Sequence, residues 1–137
     1  MVHIYFDSKT GNVQRFMDKV TQITGWKAYK IGPTTTAKVP GHLVTFTTRF
    51  GDVPDTTREF MNREAKQIFT VSSSGNTNWG RNFALAAEKI ATDYSVPIAL
   101  KFELSGTMND INQFIEIIKK NNYYYECKHG SIKLDIA

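Results

Sequence analysis

Gln67-Ile68-Phe69-Thr70-Val71-Ser72 runs directly into Ser73-Ser74-Gly75-Asn76-Thr77-Asn78-Trp79-Gly80, after which Phe83, Ala86, Ala87, Ile90, Ala91 and Tyr94 recur at helical spacing. The first stretch is a short apolar and β-branched run, as a buried strand requires. The second is a loop by composition. The third is one apolar face of a helix.

The same strand, loop and helix order repeats on either side. Upstream, residues 2–6 form an apolar and aromatic run. Asn12 is then placed to cap a helix whose stripe is Val13, Phe16, Met17, Val20 and Ile23, and Gly25 ends it. Residues 26–31 read as a second strand, Gly32-Pro33-Thr34-Thr35-Thr36 as a loop and residues 42–47 as a third strand. Pro54 precedes a short, weakly amphipathic helix over 56–64. Downstream, residues 96–104 supply a fifth strand whose start Pro97 marks. A last helix over 110–120 carries Ile111, Phe114, Ile115 and Ile118.

Five strands interleaved in this way with four helices imply an α/β fold: a parallel sheet with helices on both faces. Right-handed crossovers leave few ways to wind it. The flavodoxin-like order 2-1-3-4-5 is the most economical, because it sets the ends of the first, third and fourth strands side by side. The expected organisation is one domain over residues 1–120. Residues 121–137 form a tail on the same domain, where Tyr123-Tyr124-Tyr125 and the 132–136 run flank His129-Gly130 as the arms of a small hairpin would.

Composition narrows the function. At 137 residues the chain has the size of one domain, and Cys127 is its only cysteine, so no intrachain disulfide forms. The opening residues lack a signal-peptide pattern, and no apolar run reaches the about 18 residues of a membrane span, so a cytoplasmic protein with no membrane role is expected. The net charge is +4, but the 17 Lys and Arg are dispersed and accompany no nucleic-acid motif. Such a surface favours an acidic protein partner over a nucleic acid. His3, His42 and His129 have no metal-ligand spacing and read as surface or strand histidines. Asp7 ends the first strand as in a phosphoacceptor domain, yet the third ends in Thr47-Thr48, where such a domain needs its acceptor aspartate.

In an open α/β sheet, ligands bind beyond the carboxyl ends of the strands. Three loops lie there. The first, Ser8-Lys9-Thr10-Gly11-Asn12 with Val13, offers hydroxyls, an amide and backbone N–H groups at a helix start, a donor set suited to a terminal phosphate. The same residues also make an ordinary capped turn, so this loop alone leaves both readings open. The second, Thr47-Thr48-Arg49-Phe50-Gly51, puts an aromatic at a strand end, where it either flanks a ligand or packs under the next helix. In the third, Ser74, Gly75, Asn76, Asn78 and Gly80 are too small to bury Trp79, which is then free to stack on a planar ring. The competing reading is a helix start capped by Asn78, with Trp79 on the sheet edge. Together the loops suggest flavin mononucleotide (FMN), its phosphate in the first loop and its ring between the other two. No protein acid or base, and hence no catalytic residue, stands out.

At these residues the sequence resembles the NrdI family, small flavodoxin-like flavoproteins of class Ib ribonucleotide reductase. The resemblance rests on 5–13 with Arg15-Phe16, on 47–54, on Ser74-Gly75-Asn76-Thr77-Asn78-Trp79-Gly80, and on Val96-Pro97 with Lys101-Phe102-Glu103-Leu104-Ser105-Gly106-Thr107 and Asn109-Asp110. It runs from residue 2 to 118. It implies that the chain binds FMN, is reduced by an electron donor, and reacts with oxygen. The oxidant so made would serve the dimanganese site of the NrdF-type small subunit and generate its tyrosyl radical. By position, 8–13 would hold the phosphate, 48–51 would line one side of the ring, and Asn76 with Trp79 and Gly80 the other. Many relatives have glycine where this chain has Arg49, so a backbone flip toward the reduced flavin is expected to be restricted here. The pI of about 9.2 also lacks the acidic field of electron-shuttling flavodoxins, which eases full reduction. Two other readings stay open: a generic flavodoxin-type electron carrier, and a non-redox module that binds a phosphorylated ligand.

Overall fold

Strands β1 (His3–Phe6), β2 (Lys27–Lys30), β3 (Gly41–Phe46), β4 (Ile68–Gly75) and β5 (Ile98–Glu103) are interleaved with helices α1 (Asn12–Thr24), α2 (Asp55–Glu64), α3 (Leu85–Tyr94) and α4 (Met108–Lys128), a loop alone joining β2 to β3. This computed structural model describes residues 1–49 and 51–128, the side chains of Trp79 and Arg81 excepted. The strands form one sheet in the order β2-β1-β3-β4-β5. Each neighbouring pair is parallel, with Ile4 beside His42 and Val44 beside Ser72. The expected flavodoxin-like winding is therefore the one observed.

Side chains alternate across the sheet, as the pleat dictates. Ile4, Phe6 and Val44 point to the face covered by α1 and α4, where Phe16, Phe114 and Ile118 complete a core. Tyr5, Leu43 and Val71 point to the face covered by α2 and α3, against Phe60, Met61 and Ile90. Phe16 stacks on Phe102 with centroids 4.0 Å apart and meets Phe114 edge-on at 5.1 Å.

Several local expectations need correction. The α1 stripe holds for Val13, Phe16, Met17 and Val20, but Ile23, in the last turn of the helix, is 54% exposed. Asn12 is not the cap. Gly11 takes that place with φ 94°, a backbone geometry that a β-carbon would strain, and Ser8 Oγ accepts the Gln14 N–H instead. The tail hairpin is also overturned in its first arm: α4 continues to Lys128, so Tyr123-Tyr124-Tyr125 is helical. Tyr123 and Tyr124 are exposed, whereas Tyr125 stacks on Phe69 at 5.1 Å. The second arm, 132–136, lies outside the described residues.

The α4 extension is anchored by a buried polar chain. Thr70 Oγ1 lies 2.8 Å from His42 Nδ1, and Asn122 Oδ1 lies 2.9 Å from His42 Nε2. Asn122 Nδ2 donates to Glu126, whose carboxylate also meets the Met1 ammonium at 3.4 Å. With its amide nitrogen turned to Glu126, Asn122 presents its oxygen to His42 and can only accept there. His42 is thus the Nε2–H tautomer, and its Nδ1 accepts the Thr70 hydroxyl.

Candidate functional site

The order of the strands brings the ends of β1, β3 and β4 together, and the three loops meet there. A cavity of about 340 Å³ is lined by Lys9, Thr10 and Asn12 from the first loop, by Thr47, Thr48 and Arg49 from the second, and by Ser74, Gly75 and Asn76 from the third. A second, of about 380 Å³, lies between the first two loops and the start of α2, lined by Asp7, Ser8, Lys9, Thr48, Arg49 and Thr56.

In the first loop the side chains divide by role. Val13 is buried in the core, so only its backbone belongs to the loop. Ser8 is buried and spends its hydroxyl on the α1 start. Lys9 and Thr10 are exposed. Asn12 Oδ1 accepts from Arg15 Nη2 at 2.6 Å and from Ser105 Oγ at 2.9 Å, which leaves its amide N–H groups as the free end. No acidic residue stands in the first turn of α1 to neutralise its positive dipole end.

The second loop is a tight turn. Thr48 N–H donates to Asp52 O at 2.9 Å, Asp52 N–H donates back at 2.8 Å, and Gly51 N–H donates to Thr48 O at 3.2 Å. Arg49 sits at φ 51°, an uncommon region for a residue with a β-carbon, and its exposed guanidinium lies 3.9 Å from Asp52. Gly51 is buried with φ 102°, and Thr47 Oγ1 accepts the Ala86 N–H at 3.3 Å. Phe50, expected to flank a ligand ring, lies outside the described residues.

A buried chain joins the end of β1 to β3 and α2. Thr57 Oγ1 donates to Asp7 Oδ2 at 2.7 Å, so it accepts from Thr45 Oγ1, also at 2.7 Å. Burial pushes the Asp7 carboxyl above its ordinary range, and the Thr57 bond opposes this.

The third loop is 3₁₀-like over Thr77–Asn82 with a kink at Gly80 (φ 57°, ψ −124°), and its cap is Asn76 rather than Asn78: Asn76 Oδ1 accepts the Asn78 N–H at 2.9 Å. Asn78 and Gly80 are exposed. Ser74 is buried, its carbonyl accepting from Thr47 N–H at 3.0 Å. Gly75 permits a close crossing, since a β-carbon there would sit 2.4 Å from Ala84 N. The Trp79 side chain lies outside the described residues.

A fourth segment, just beyond β5, completes the rim, and sequence reading had given it no role. Thr77 N–H donates to Glu103 Oε2 at 3.1 Å, and the Thr77 hydroxyl donates to the same oxygen. These bonds hold the Glu103 carboxyl below its usual range. Leu104, exposed and at φ 52°, lines the ligand-side cavity. Ser105 joins Arg15 to Asn12. The signal was available, since the end of β5 lies on the same rim as the other strand ends. His42, by contrast, is a buried strand histidine far from these loops. Among the described residues no group of three His, Cys, Asp or Glu is placed to hold a metal ion. Nor is any helix among them long and apolar enough to cross a membrane.

Comparison with known proteins bears on the family and the fold. The family model described as NrdI Flavodoxin like matches residues 4–116. Protein NrdI of Bacillus licheniformis is 47% identical over 120 residues, covering 88% of this chain and 89% of that protein. Protein NrdI of Macrococcus caseolyticus is 37% identical over 125 residues, covering 91% and 94%. Among solved structures, a short-chain flavodoxin associated with a PDU bacterial microcompartment superposes with TM-score 0.68 at 14% identity, covering 90% of this chain and 97% of that one, a likeness of fold.

Proposed function

Because this chain belongs to the NrdI flavodoxin-like family, we propose that it is an FMN-binding redox accessory protein of class Ib ribonucleotide reductase. In this reading it takes electrons from a donor protein and supplies oxidant for assembly of the dimanganese–tyrosyl radical cofactor in the small subunit. The observation that carries it is the convergence of three loops on one cavity at the ends of β1, β3 and β4, in a chain of this family. The donors there fit the group: a hydroxyl, an amide, an ammonium and the N–H groups of a helix start with no acidic residue in its first turn suit a phosphomonoester. The cavity volume falls within the range of small-molecule sites.

Lys9, Thr10, Gly11 and Asn12 are assigned to the phosphate, with Ser8 and Val13 shaping the turn that presents them. Thr47, Thr48, Arg49, Phe50 and Gly51 are assigned to one side of the ring. Ser74, Gly75, Asn76, Asn78, Trp79 and Gly80 are assigned to the other. The bound flavin supplies the electron and oxygen chemistry, and the protein supplies binding, orientation and electrostatics. The Asp7–Thr57–Thr45 chain holds the end of β1, from which the phosphate loop starts, to β3 and α2.

The test is reconstitution. The chain purified with FMN supplied is reduced without air, then mixed with oxygen and a manganese-loaded class Ib small subunit. Tyrosyl radical detected by electron paramagnetic resonance only in the full mixture supports the reading. Electron delivery without radical formation replaces it with the carrier reading. A colourless protein replaces it with the phosphoryl-ligand module.

A further inference from the structure

Among residues 8–13, Lys9 is the only charged side chain, and it extends into solvent. One further cation is held against this loop by the fold. A β-carbon built on Gly11 would lie 2.8 Å from Arg15 Nη1, so the guanidinium edge rests on that glycine. Its position is fixed from two sides. Arg15 Nε donates to Ser105 Oγ at 3.1 Å, and Nη2 donates to Asn12 Oδ1 at 2.6 Å. Ser105 Oγ in turn donates to Asn12 Oδ1 at 2.9 Å.

The bookkeeping of donors gives this clamp a purpose. A guanidinium has five N–H donors, and two are spent here. Nη1, the nitrogen nearest Gly11, keeps both of its own. Asn12 Oδ1 takes two donors and is saturated, so its Nδ2–H₂ end is what remains for a ligand. The clamp therefore aims two sets of donors at the loop, one of them carrying a full positive charge. A planar, pre-positioned guanidinium is the side chain best matched to a phosphate oxygen pair, whereas a lysine acts only as a point charge.

We propose that Arg15, held by Ser105, is the residue that makes this site select a phosphomonoester dianion over the same ligand lacking its phosphate. The inference rests on the flavin reading above and adds to it the specificity of the phosphate end. Arg15 acts in two ways: through its own free Nη1 donors, and as a positioning residue that turns the Asn12 amide toward the ligand.

The experiment compares dissociation constants for FMN and for riboflavin by quenching of flavin fluorescence, in wild type, Arg15→Gln, Arg15→Lys and Ser105→Ala. In Arg15→Gln the FMN constant should rise about tenfold or more, the range of one lost charge-assisted hydrogen bond. The riboflavin constant should stay within about twofold. Arg15→Lys should recover part of the loss, and Ser105→Ala should show a smaller loss confined to FMN. The phosphate gains its second charge near pH 6. The wild-type preference for FMN should therefore grow from pH 5 to pH 7.5, and Arg15→Gln should flatten that rise. Equal weakening of both ligands, or no change in either, overturns the proposal. If Arg15→Gln fails to fold by circular dichroism, Ser105→Ala decides by the same criterion. A wild type that binds neither flavin fails at the level of the proposed function, whereas one that binds both alike overturns the Arg15 assignment alone.

Discussion

The imidazole of His42 on β3 and the side-chain amide of Asn122 on α4, 80 positions apart in sequence, meet at 2.9 Å inside the protein. His42 is fully buried, and burial lowers its pKa to about 4 from an ordinary 6.5. The folded state thus holds a neutral imidazole that the unfolded chain protonates between those two values. Stability from this site is complete above pH 6.5 and falls as the pH drops toward 4. The expected loss across the window is about 3 kcal/mol. Urea denaturation at stepped pH measures it, and His42→Gln should reduce the slope between pH 6.5 and 4.

Asn122→Ala would leave the His42 Nε2–H buried without its acceptor. Removing one partner of a buried pair costs about 1–3 kcal/mol. Denaturation at pH 7.5 checks this, with flavin affinity expected to stay at the wild-type level because Asn122 is remote from the loops.

Gly75→Ala places a β-carbon 2.4 Å from Ala84 N and 2.9 Å from Ala84 Cα, so backbone must move. Overpacking of this kind costs about 1–3 kcal/mol. The end of β4 and the start of the Asn76 turn move with it, so weaker FMN binding should accompany the lower denaturation midpoint.

Glu103→Gln exchanges the carboxylate that receives both Thr77 donors for an amide. The third loop should loosen without loss of the fold. Faster amide exchange at Thr77 and Asn78, read by hydrogen–deuterium mass spectrometry, is the expected outcome, with an unchanged thermal midpoint.

Arg49 holds φ 51° despite its β-carbon, and the side chain is tethered near Asp52. A glycine there would move between backbone states more freely. Reductive titration of the FMN-loaded protein should accumulate less half-reduced flavin than Arg49→Gly does. Near-complete accumulation in wild type would contradict the restricted turn.

Much of this architecture was legible in the residues. The alternation of apolar runs and helical stripes gave the parallel α/β class, because strands buried on both faces need a continuous apolar run, whereas the winding order was the most economical of the doubly wound ones. What stayed hidden depended on contacts between distant segments. Tyr123-Tyr124-Tyr125 reads as a strand by its aromatic content, yet it is helical, since α4 gains a partner in His42 that local sequence does not reveal. Asn12 has the chemistry of a cap, but the turn before α1 needs a left-handed residue and Gly11 supplies it. Arg15 enters the sequence reading only through the family resemblance, and its link to Ser105, 90 positions away, is what sets it at the loop. The competing reading of the third loop put the cap at Asn78, but Asn76 provides it, because its side-chain oxygen reaches the Asn78 N–H.

Phe16 follows Arg15 directly, and Phe102, on which it stacks, directly precedes Glu103. The two rings therefore act as the floor on which both the guanidinium clamp and the Thr77 anchor stand. Attempts to toughen the protein by refilling its interior with bulkier or smaller apolar groups at either position should retune ligand discrimination, although neither ring need ever touch what is bound.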